Sequence, residues 1–299
     1  MKHLPIIFSL FGSDKLVDKI QEQCHYDIGN ITQHQFPDEE TLIRIDSNVH
    51  DRVVIFVVNF NQPNAKLLPL LFAAETARSL GASKIILVAT YLAYMRQDKV
   101  FAPGQGITSV YFAKLISHYF DSLITIDPHL HRWHALNEIY DIPTHVLHAT
   151  NSIVQWIHQH VKKPVLIGPD AESAQWVKDI AEKTDSPYLI LEKTRKGDNS
   201  IEVSIPHLEK HQDATLILVD DIISTGMTML GTIKHLQSLK MPAPICIGVH
   251  AVFAENAYQK LLDSGVKKIV TCNTIPHISN QIDMSQDIAD CLMTLPILD

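Results

Sequence analysis

The chain has 299 residues, of which 46% are hydrophobic and 19% are charged, and its formal net charge is −8. This length is enough for two domains with cores of their own, and the composition is that of a globular protein. The sequence has no apolar run of the roughly 18 residues that a membrane span needs. An acidic chain without a basic tail is also a poor match for a nucleic acid polymer. We therefore expect small ligands as partners, with neither a membrane nor a nucleic acid polymer.

The cysteines and the first residues of the chain indicate the cellular compartment of the protein. Cys24, Cys246, Cys272 and Cys291 are widely spaced and include no C-x-x-C pair, which argues against a disulfide framework and against a cysteine-based metal site. The start MKHLPIIFSLFG superficially resembles a signal peptide, but it contains Pro5 and lacks a small-residue cleavage site. We therefore predict a first strand over 5–10 and a cytoplasmic protein.

The predicted elements alternate between strands and helices along the chain. This alternation is typical of an α/β protein with doubly wound, mainly parallel sheets. The strand-like apolar runs lie at 5–10, 53–58, 84–90, 123–127, 164–168, 188–191, 215–219, 244–252 and 267–272. The helical patterns lie at 66–80, 108–119, 151–160, 174–183, 228–239 and 255–263, with a final helix-like stretch at 284–293.

The order of these elements repeats. A strand–helix–strand–helix–strand series runs from 53 to 127 and again from 215 to 272, and the first copy carries an insertion at 93–106. A polar segment around Pro143 precedes a new helix and is a natural boundary. We therefore predict two domains, at 1–147 and 148–299, with the final helix free to pack on either one.

The most informative motif is TLILVDDIISTGMT, at 215–228. Ligands in open parallel sheets bind at the carboxyl ends of the strands, where Asp220 and Asp221 fall. The residues that follow, Ser224 to Thr228, lead into a helix, and the N-terminus of a helix offers free amides to an anion. We predict that this turn holds a phosphate while the two carboxylates accept hydrogen bonds from sugar hydroxyls or from water on Mg2+. The alternative is that the acidic pair only caps the helix.

Two further strands end in candidate metal ligands. His129 follows the strand at 123–127, and neutral imidazole can ligate a divalent metal or orient phosphate oxygens. With His131 and His134 nearby, a zinc-dependent hydrolase is an alternative. Asp170 follows the strand at 164–168, where its alternative is an ordinary helix cap.

Three polar segments complete the set of candidates. Lys193 and Arg195 open a polar stretch that could be a mobile basic loop beside a phosphate, or else a solvated face. Arg96 stands in an Arg-Gln-Asp triplet and could form a bidentate contact with phosphate. Phe36, in the segment FPDEE, offers an apolar face for a base, and the carboxylates beside it can accept from an adenine amino group or from ribose hydroxyls.

Together these motifs resemble one family over essentially the whole chain. The order FPDEE, YxxYxRQD, APGQGIT, DPH, GPD, EKTR, VDDIISTGMT and NTIPH resembles the ribose-phosphate diphosphokinases, the synthases of phosphoribosyl diphosphate, and RQDKVFAPGQGIT looks most like their archaeal-type branch. The resemblance implies two domains of the type I phosphoribosyltransferase kind, with ATP on the first and ribose 5-phosphate on the second. It implies transfer of the diphosphoryl group of ATP to the C1 hydroxyl of ribose 5-phosphate, releasing AMP, with Mg2+ as cofactor.

The resemblance also implies a role for each candidate residue. The FPDEE-like turn would reach the ATP site of a neighbouring subunit, so that the protein would be at least a dimer with a shared active site. The positions that match the ATP site are Phe36, Asp38, Glu40, Arg96, Gln97 and Asp98. The positions that match the metal are His129 and Asp170, and those that match the catalytic groups are Lys193, Arg195 and His129. The positions that match the ribose 5-phosphate site are Asp220, Asp221, Ser224, Thr225, Gly226, Met227 and Thr228.

The chain departs from the family pattern in places. Glu172 and Ser173 follow Ala171 where paired small residues are usual, and Met227 stands where glycine or alanine is more frequent. Glu172 would bring negative charge to a site that must hold several phosphates. These departures keep open a catalytically weak or inactive regulatory member of the family. A phosphoribosyltransferase that consumes the product is a further alternative, against which the RQD and DPH motifs argue.

Overall fold

A computed structural model of the chain describes residues 3–169, 173–196, 200–204 and 208–296, with the backbone alone over 192–196, 200–204 and 208–209. The chain divides into two compact units. Unit 1 contains Met1–Leu147 together with Met284–Asp299, and unit 2 contains His148–Asp283. No helix in the described ranges is both long and apolar enough to cross a membrane.

Unit 1 is an α/β unit around a six-stranded sheet. Its elements are β1 (Ile6–Ser9), α1 (Asp14–Cys24), β2 (Asp27–Ile28), β3 (Ile31–Gln35), β4 (Thr41–Ile45), β5 (Val53–Asn59), α2 (Asn64–Ser79), β6 (Lys84–Tyr91), α3 (Thr108–Tyr119), β7 (Ser122–Ile126) and β8 (Thr144–Leu147). The sheet has the order β2-β1-β5-β6-β7-β8, and every neighbouring pair in it is parallel. β3 and β4 form a separate antiparallel hairpin.

Unit 2 repeats this plan. Its elements are α4 (Thr150–His160), β9 (Pro164–Gly168), α5 (Ala174–Thr184), β10 (Tyr188–Ile190), β11 (Glu192–Lys196), β12 (Ser200–Ser204), β13 (Thr215–Ile222), α6 (Met227–Ser238), β14 (Ile245–His250), α7 (Ala257–Asp263), β15 (Lys268–Cys272) and β16 (Asn280–Ile282). The parallel sheet has the order β10-β9-β13-β14-β15-β16, and β11 and β12 form an antiparallel hairpin. The last helix, α8 (Ser285–Thr294), returns to unit 1 and packs against α1.

The apolar runs of the sequence become the buried strands. All residues of β5 after Val53 and all residues of β6 after Lys84 are buried. Such continuous apolar strands are typical of parallel sheets, which are covered on both faces. In unit 2, β13 has four buried residues before it reaches Asp220, which is half-buried. Because parallel strands all end at one edge, each unit collects its strand-end loops on one side of its sheet.

The two sheets have the same topology. Among the strands of its sheet, β5 is third both in the chain and in space, and β13 has the same place in the other sheet. In each unit an antiparallel hairpin comes just before this strand in the chain. The doubly wound α/β fold is confirmed, and so is the repeated strand–helix series. One prediction was wrong in detail: residues 192–196 and 200–204, expected to belong to a polar loop, pair as β11 and β12.

Candidate active site

The turn between β13 and α6 has the geometry of an anion site. Gly226 is the N-terminal cap residue of α6 and lies in the left-handed region, with φ 69°. Among the described residues, no side chain caps this helix, so its first amides are not satisfied by a capping group. Met227, the first residue of the helix, is 66% exposed, and Thr228 is also exposed. Ser224 and Thr225 are half-buried in the turn itself. Amides, hydroxyls and the positive end of the helix dipole can thus face one phosphate.

The two carboxylates lie within the last residues of β13, since this strand extends to Ile222. Asp220 is paired in register with Gly248 of β14. The Oδ1 atom of Asp220 accepts a hydrogen bond from the amide of Asp221 at 3.0 Å, and Oδ1 of Asp221 accepts one from the amide of Ile222 at 2.7 Å. Both residues are half-buried. A carboxylate oriented by its own backbone and still reached by solvent is suited to accept from hydroxyl groups.

The turn between β13 and α6 is held by hydrogen bonds and packing from the neighbouring strand ends. The amide of Ile223 donates to the carbonyl of His250 at 3.1 Å, and the amide of Phe253 donates to the carbonyl of Ile223 at 2.8 Å. The rings of Phe253, Tyr258 and His277 form a cluster with centroids 4.6–5.2 Å apart. Burial lowers the pKa of the His277 imidazole. The sequence motifs did not predict a role for this cluster, although His277 belongs to the NTIPH motif.

In unit 1, the candidate nucleotide residues follow β6. Arg96 and Gln97 are exposed, whereas Asp98 is 7% exposed. Nε of Arg132, in the segment after β7, lies 3.6 Å from Oδ1 of Asp98. This ion pair joins the Arg-Gln-Asp triplet to the segment that carries His129. The structure therefore brings two of the predicted motifs together and gives Asp98 a partner within the protein.

The histidines after β7 lie close to one another. The rings of His129 and His131 meet edge to face, with centroids 3.9 Å apart. Within the described ranges, no group of three histidine, cysteine, aspartate or glutamate side chains is arranged to hold a metal ion. The zinc hydrolase alternative therefore has no support in the part of the chain that the structure describes. Asp170, the second predicted metal position, lies outside the described residues, as does Glu172.

The FPDEE segment forms the tip of the β3–β4 hairpin. The amide of Phe36 donates to the carbonyl of Glu40 at 2.8 Å, and the amide of Glu40 lies 3.4 Å from Oδ1 of Asp38. Phe36 is 41% exposed, and Asp38 and Glu40 are exposed as well. Among the described residues, no hydrogen bond or ion pair within the chain joins this tip to Arg96 or Gln97.

The predicted catalytic pair lies on the other hairpin. Lys193 and Arg195 belong to β11, where they are paired in register with Val203 and Ile201 of β12. Of these residues the structure describes only the backbone. The β11–β12 hairpin of unit 2 occupies the same place in the topology as the β3–β4 hairpin of unit 1.

A polar network that the sequence patterns did not predict closes the loop after β5. Nζ of Lys66 donates to the backbone carbonyl of Asn59 at 2.9 Å and to its Oδ1 at 2.7 Å, and it also contacts Oδ1 of Asn61. The side-chain amide of Asn59, which is 1% exposed, lies 3.3 Å from the carbonyl of Phe11 and 3.4 Å from Oγ of Ser13. Burial lowers the pKa of Lys66 to about 8. The three asparagines among residues 59–64 were the only sequence signal of this network.

Comparison with known proteins identifies the family of the chain. A family model described as the N-terminal domain of ribose phosphate pyrophosphokinase matches residues 5–119, and a model described as the phosphoribosyl transferase domain matches residues 135–288. The ribose-phosphate pyrophosphokinase of Sulfurisphaera tokodaii is 32% identical over 261 residues, covering 85% of this chain and 88% of the relative. That of Methanobrevibacter smithii is 27% identical over 293 residues, covering 94% and 97%.

A solved structure shows the same fold. The crystal structure of phosphoribosylpyrophosphate synthetase from Mycobacterium smegmatis superposes with a TM-score of 0.84 at 21% identity, and the match covers 97% of this chain and 98% of the other. The chain thus consists of two units of the phosphoribosyltransferase kind. It belongs to the ribose-phosphate pyrophosphokinase family, as the order of its motifs predicted.

Proposed function

We propose that this chain is a ribose-phosphate pyrophosphokinase, an enzyme that forms 5-phosphoribosyl 1-diphosphate and AMP from ribose 5-phosphate and ATP. Membership of the family supports the proposal along most of the chain. The single observation that carries it is the end of β13, where two oriented carboxylates precede an uncapped helix N-terminus. A phosphate and the hydroxyls of one sugar are the ligands that such a site accepts.

Ribose 5-phosphate is the acceptor in unit 2. The 5-phosphate binds the turn from Ser224 to Thr228, where Gly226 directs the first amides of α6 outward. Asp220 and Asp221 accept hydrogen bonds from the ribose hydroxyls, which fixes the orientation of the C1 hydroxyl. Met227 contributes its amide, because its side chain is exposed and leaves the helix end open.

ATP binds through unit 1. Arg96 is exposed and charged, and its planar guanidinium can hold phosphate oxygens in a bidentate contact. Gln97 is exposed beside it and offers both a donor and an acceptor. Asp98 acts differently, since it is buried and paired with Arg132. The tip residues Phe36, Asp38 and Glu40 would bind the adenosine part of ATP, with Phe36 against the base.

The transfer itself requires positioning and charge stabilisation more than covalent help. The C1 oxygen of the sugar forms a bond to the β-phosphorus, and the bond from this phosphorus to the oxygen bridging to the α-phosphate breaks. AMP leaves with that oxygen, and the proton of the sugar hydroxyl passes to water. Lys193 and Arg195 donate to the phosphoryl oxygens as their negative charge grows. Mg2+, when bound, would neutralise phosphate charge, and His129 and Asp170 are the residues proposed to hold it.

The test is an assay of the purified chain with Mg-ATP and ribose 5-phosphate, in which AMP and phosphoribosyl diphosphate are measured together. We expect Lys193→Ala to lower turnover about 100-fold or more and to leave ATP affinity nearly unchanged. The matched control is Lys178→Ala, which removes a lysine from an exposed pair with Glu182 on α5. If the wild-type chain forms no AMP at any phosphate or metal concentration, it is an inactive regulatory member of the family instead.

We further propose that the active site is shared between two copies of the chain. The exposed tip of the β3–β4 hairpin, with Phe36 at the surface, supports this arrangement. Mixing inactive Phe36→Ala and Lys193→Ala proteins should restore activity, because a mixed dimer contains one site with both groups intact. If sedimentation shows that the two proteins exchange subunits and the mixture still has no activity, the shared site is contradicted.

The cofactor and compartment follow from the same proposal. An ATP-dependent diphosphoryl transfer needs a divalent cation, and Mg2+ is the cation that pairs with carboxylates and phosphates in such sites. We infer a cytoplasmic enzyme, because all four cysteines are free thiols and three of them are buried.

A further inference from the structure

The Arg-Gln-Asp triplet is presented on a turn with an unusual first residue. Tyr94 lies in the left-handed region, with φ 63°, a conformation that is strained for a residue with a side chain. Its carbonyl accepts a hydrogen bond from the amide of Gln97 at 3.0 Å, which closes a turn over 94–97. The carbonyl of Gln97 in turn accepts from the amide of Ser109 at 3.2 Å, at the start of α3. A conformation of this kind persists only where the surroundings impose it.

Contacts of the Tyr94 side chain impose this left-handed conformation. Its hydroxyl donates to Oδ1 of Asn64, the first residue of α2. Its ring packs on Phe112 of α3, with centroids 5.1 Å apart, and Phe112 meets Phe60 edge to face at 5.2 Å. Phe112 and Phe60 are buried, so the ring of Tyr94 rests on the core. The hydroxyl thus forms a polar link from the turn to the start of α2.

The start of α2 is itself held by a polar network. Lys66, near the beginning of the helix, holds both the backbone and the side chain of Asn59 and contacts Asn61. This network fixes the loop between β5 and α2, which leads directly into Asn64. A chain of contacts therefore runs from the end of β5 through Asn64 to Tyr94 and the turn.

We propose that Tyr94, through its hydrogen bond to Asn64, is a positioning residue that orients Arg96 and Gln97 toward the phosphates of ATP. The inference rests on the proposed function, because it assigns the nucleotide to this turn. Tyr94 does not touch the nucleotide in this arrangement: its hydroxyl is committed to Asn64 and its ring to Phe112. Its contribution is to hold the backbone of the turn in one conformation before ATP arrives, which lowers the cost of ordering on binding.

The test compares Tyr94→Phe, which keeps the ring, with Asn64→Ala, which removes the acceptor. We expect each variant to raise the KM for ATP about 5- to 10-fold and to leave the KM for ribose 5-phosphate unchanged, as for the loss of one hydrogen bond. The combined variant should be no worse than either single variant, because both remove the same contact. The matched control is Tyr188→Phe, which removes a hydroxyl from an exposed tyrosine of β10.

A second readout separates positioning from general stability. In an Arg96→Ala background, Tyr94→Phe should cause no further loss of ATP affinity, because the effect of Tyr94 passes through Arg96. Effects that multiply in the combined variants, or a rise in the KM for ribose 5-phosphate of equal size, would overturn the inference. The inference would also be overturned if Tyr94→Ala raised the KM for ATP while Asn64→Ala left it unchanged. That result would mean that the ring of Tyr94 stacks directly on the base.

Failure of the proposed function gives a different pattern. If the wild-type chain binds Mg-ATP but forms no AMP, the proposed reaction fails, and the dissociation constants for Mg-ATP of the same variants still decide the role of Tyr94. If the wild-type chain does not bind Mg-ATP by calorimetry, the positioning role fails together with the nucleotide site.

Discussion

Replacing Gly226 by alanine should strain the turn between β13 and α6, the proposed phosphate site, without any steric clash. A Cβ atom at this position would lie 3.4 and 3.5 Å from two carbons of Leu261 and 3.6 Å from Cβ of Ala257, which are ordinary contact distances. The cost therefore comes from the backbone, whose φ of 69° is left-handed. For alanine this conformation costs about 1–2 kcal/mol. Relaxation of the turn would rotate the first amides of α6, so that we expect Gly226→Ala to lower the free energy of unfolding by that amount and to raise the KM for ribose 5-phosphate about tenfold.

The same helix supplies a control with the opposite sign. Gly231 lies inside α6 and is exposed, and a Cβ atom added there would point into open space. Gly231→Ala should stabilise the chain by about 0.5–1 kcal/mol, because alanine favours helix and loses less entropy on folding. Urea denaturation followed by circular dichroism measures both variants, and steady-state kinetics give the KM. If Gly226→Ala is as stable as Gly231→Ala, or if its KM for ribose 5-phosphate is that of the wild type, the reasoning from φ is refuted.

Three further results are expected from single residues. Asp221→Asn should raise the KM for ribose 5-phosphate about 10- to 100-fold, as for the loss of a hydrogen bond to a charged group, and should leave ATP affinity unchanged by calorimetry. A change in ATP affinity instead would assign this carboxylate elsewhere. For Lys66, burial lowers the folded-state pKa to about 8, below the value near 10.5 of an unfolded lysine. Between these two pKa values the unfolded chain binds more protons than the folded chain. The free energy of unfolding of the wild type, relative to Lys66→Met, should therefore rise from pH 8 to 10. The rise should be smaller than the roughly 1.4 kcal/mol per pH unit that one proton allows, because Lys66 is only half-buried. A constant difference across that range in urea titrations would contradict the lowered pKa. The side chain of Arg52 is 12% exposed and lies 2.5 Å from a carboxylate oxygen of Asp27, whose side chain is 56% exposed. Arg52→Met should therefore lower the free energy of unfolding by about 1–2 kcal/mol with both KM values unchanged. Wild-type stability in a thermal melt would contradict this.

Much of the fold was predictable because the sheets are parallel and buried. β5, β6 and β13 are long apolar runs, and α3 was predicted with the bounds that the structure shows. The hairpins were not predicted. β3 reads Ile-Thr-Gln-His-Gln and is mostly exposed, so it carries little apolar alternation and is held by its backbone ladder to β4. α1 was not predicted either, although its buried residues Leu16, Val17, Ile20 and Cys24 recur at helical spacing.

The candidate site was predictable where its parts are adjacent in sequence. Asp220, Asp221 and Gly226 lie within seven residues, and the structure places the pair at the end of β13 and the glycine at the start of α6. Their roles stay predictions. The contacts between distant residues were not predictable, because Tyr94 and Asn64 are 30 positions apart and only the folded sheet brings their loops together.

The packing of α8 against α1 has a consequence for biosynthesis. Unit 1 is discontinuous, because its final helix lies beyond all of unit 2 in the chain. α8 buries Ile288, Ala289 and Leu292, and α1 buries apolar residues of its own. During translation, unit 2 can complete its sheet while unit 1 still lacks this partner, and α1 keeps an uncovered apolar face until the last helix emerges from the ribosome. The half that is made first is therefore the half that is finished last.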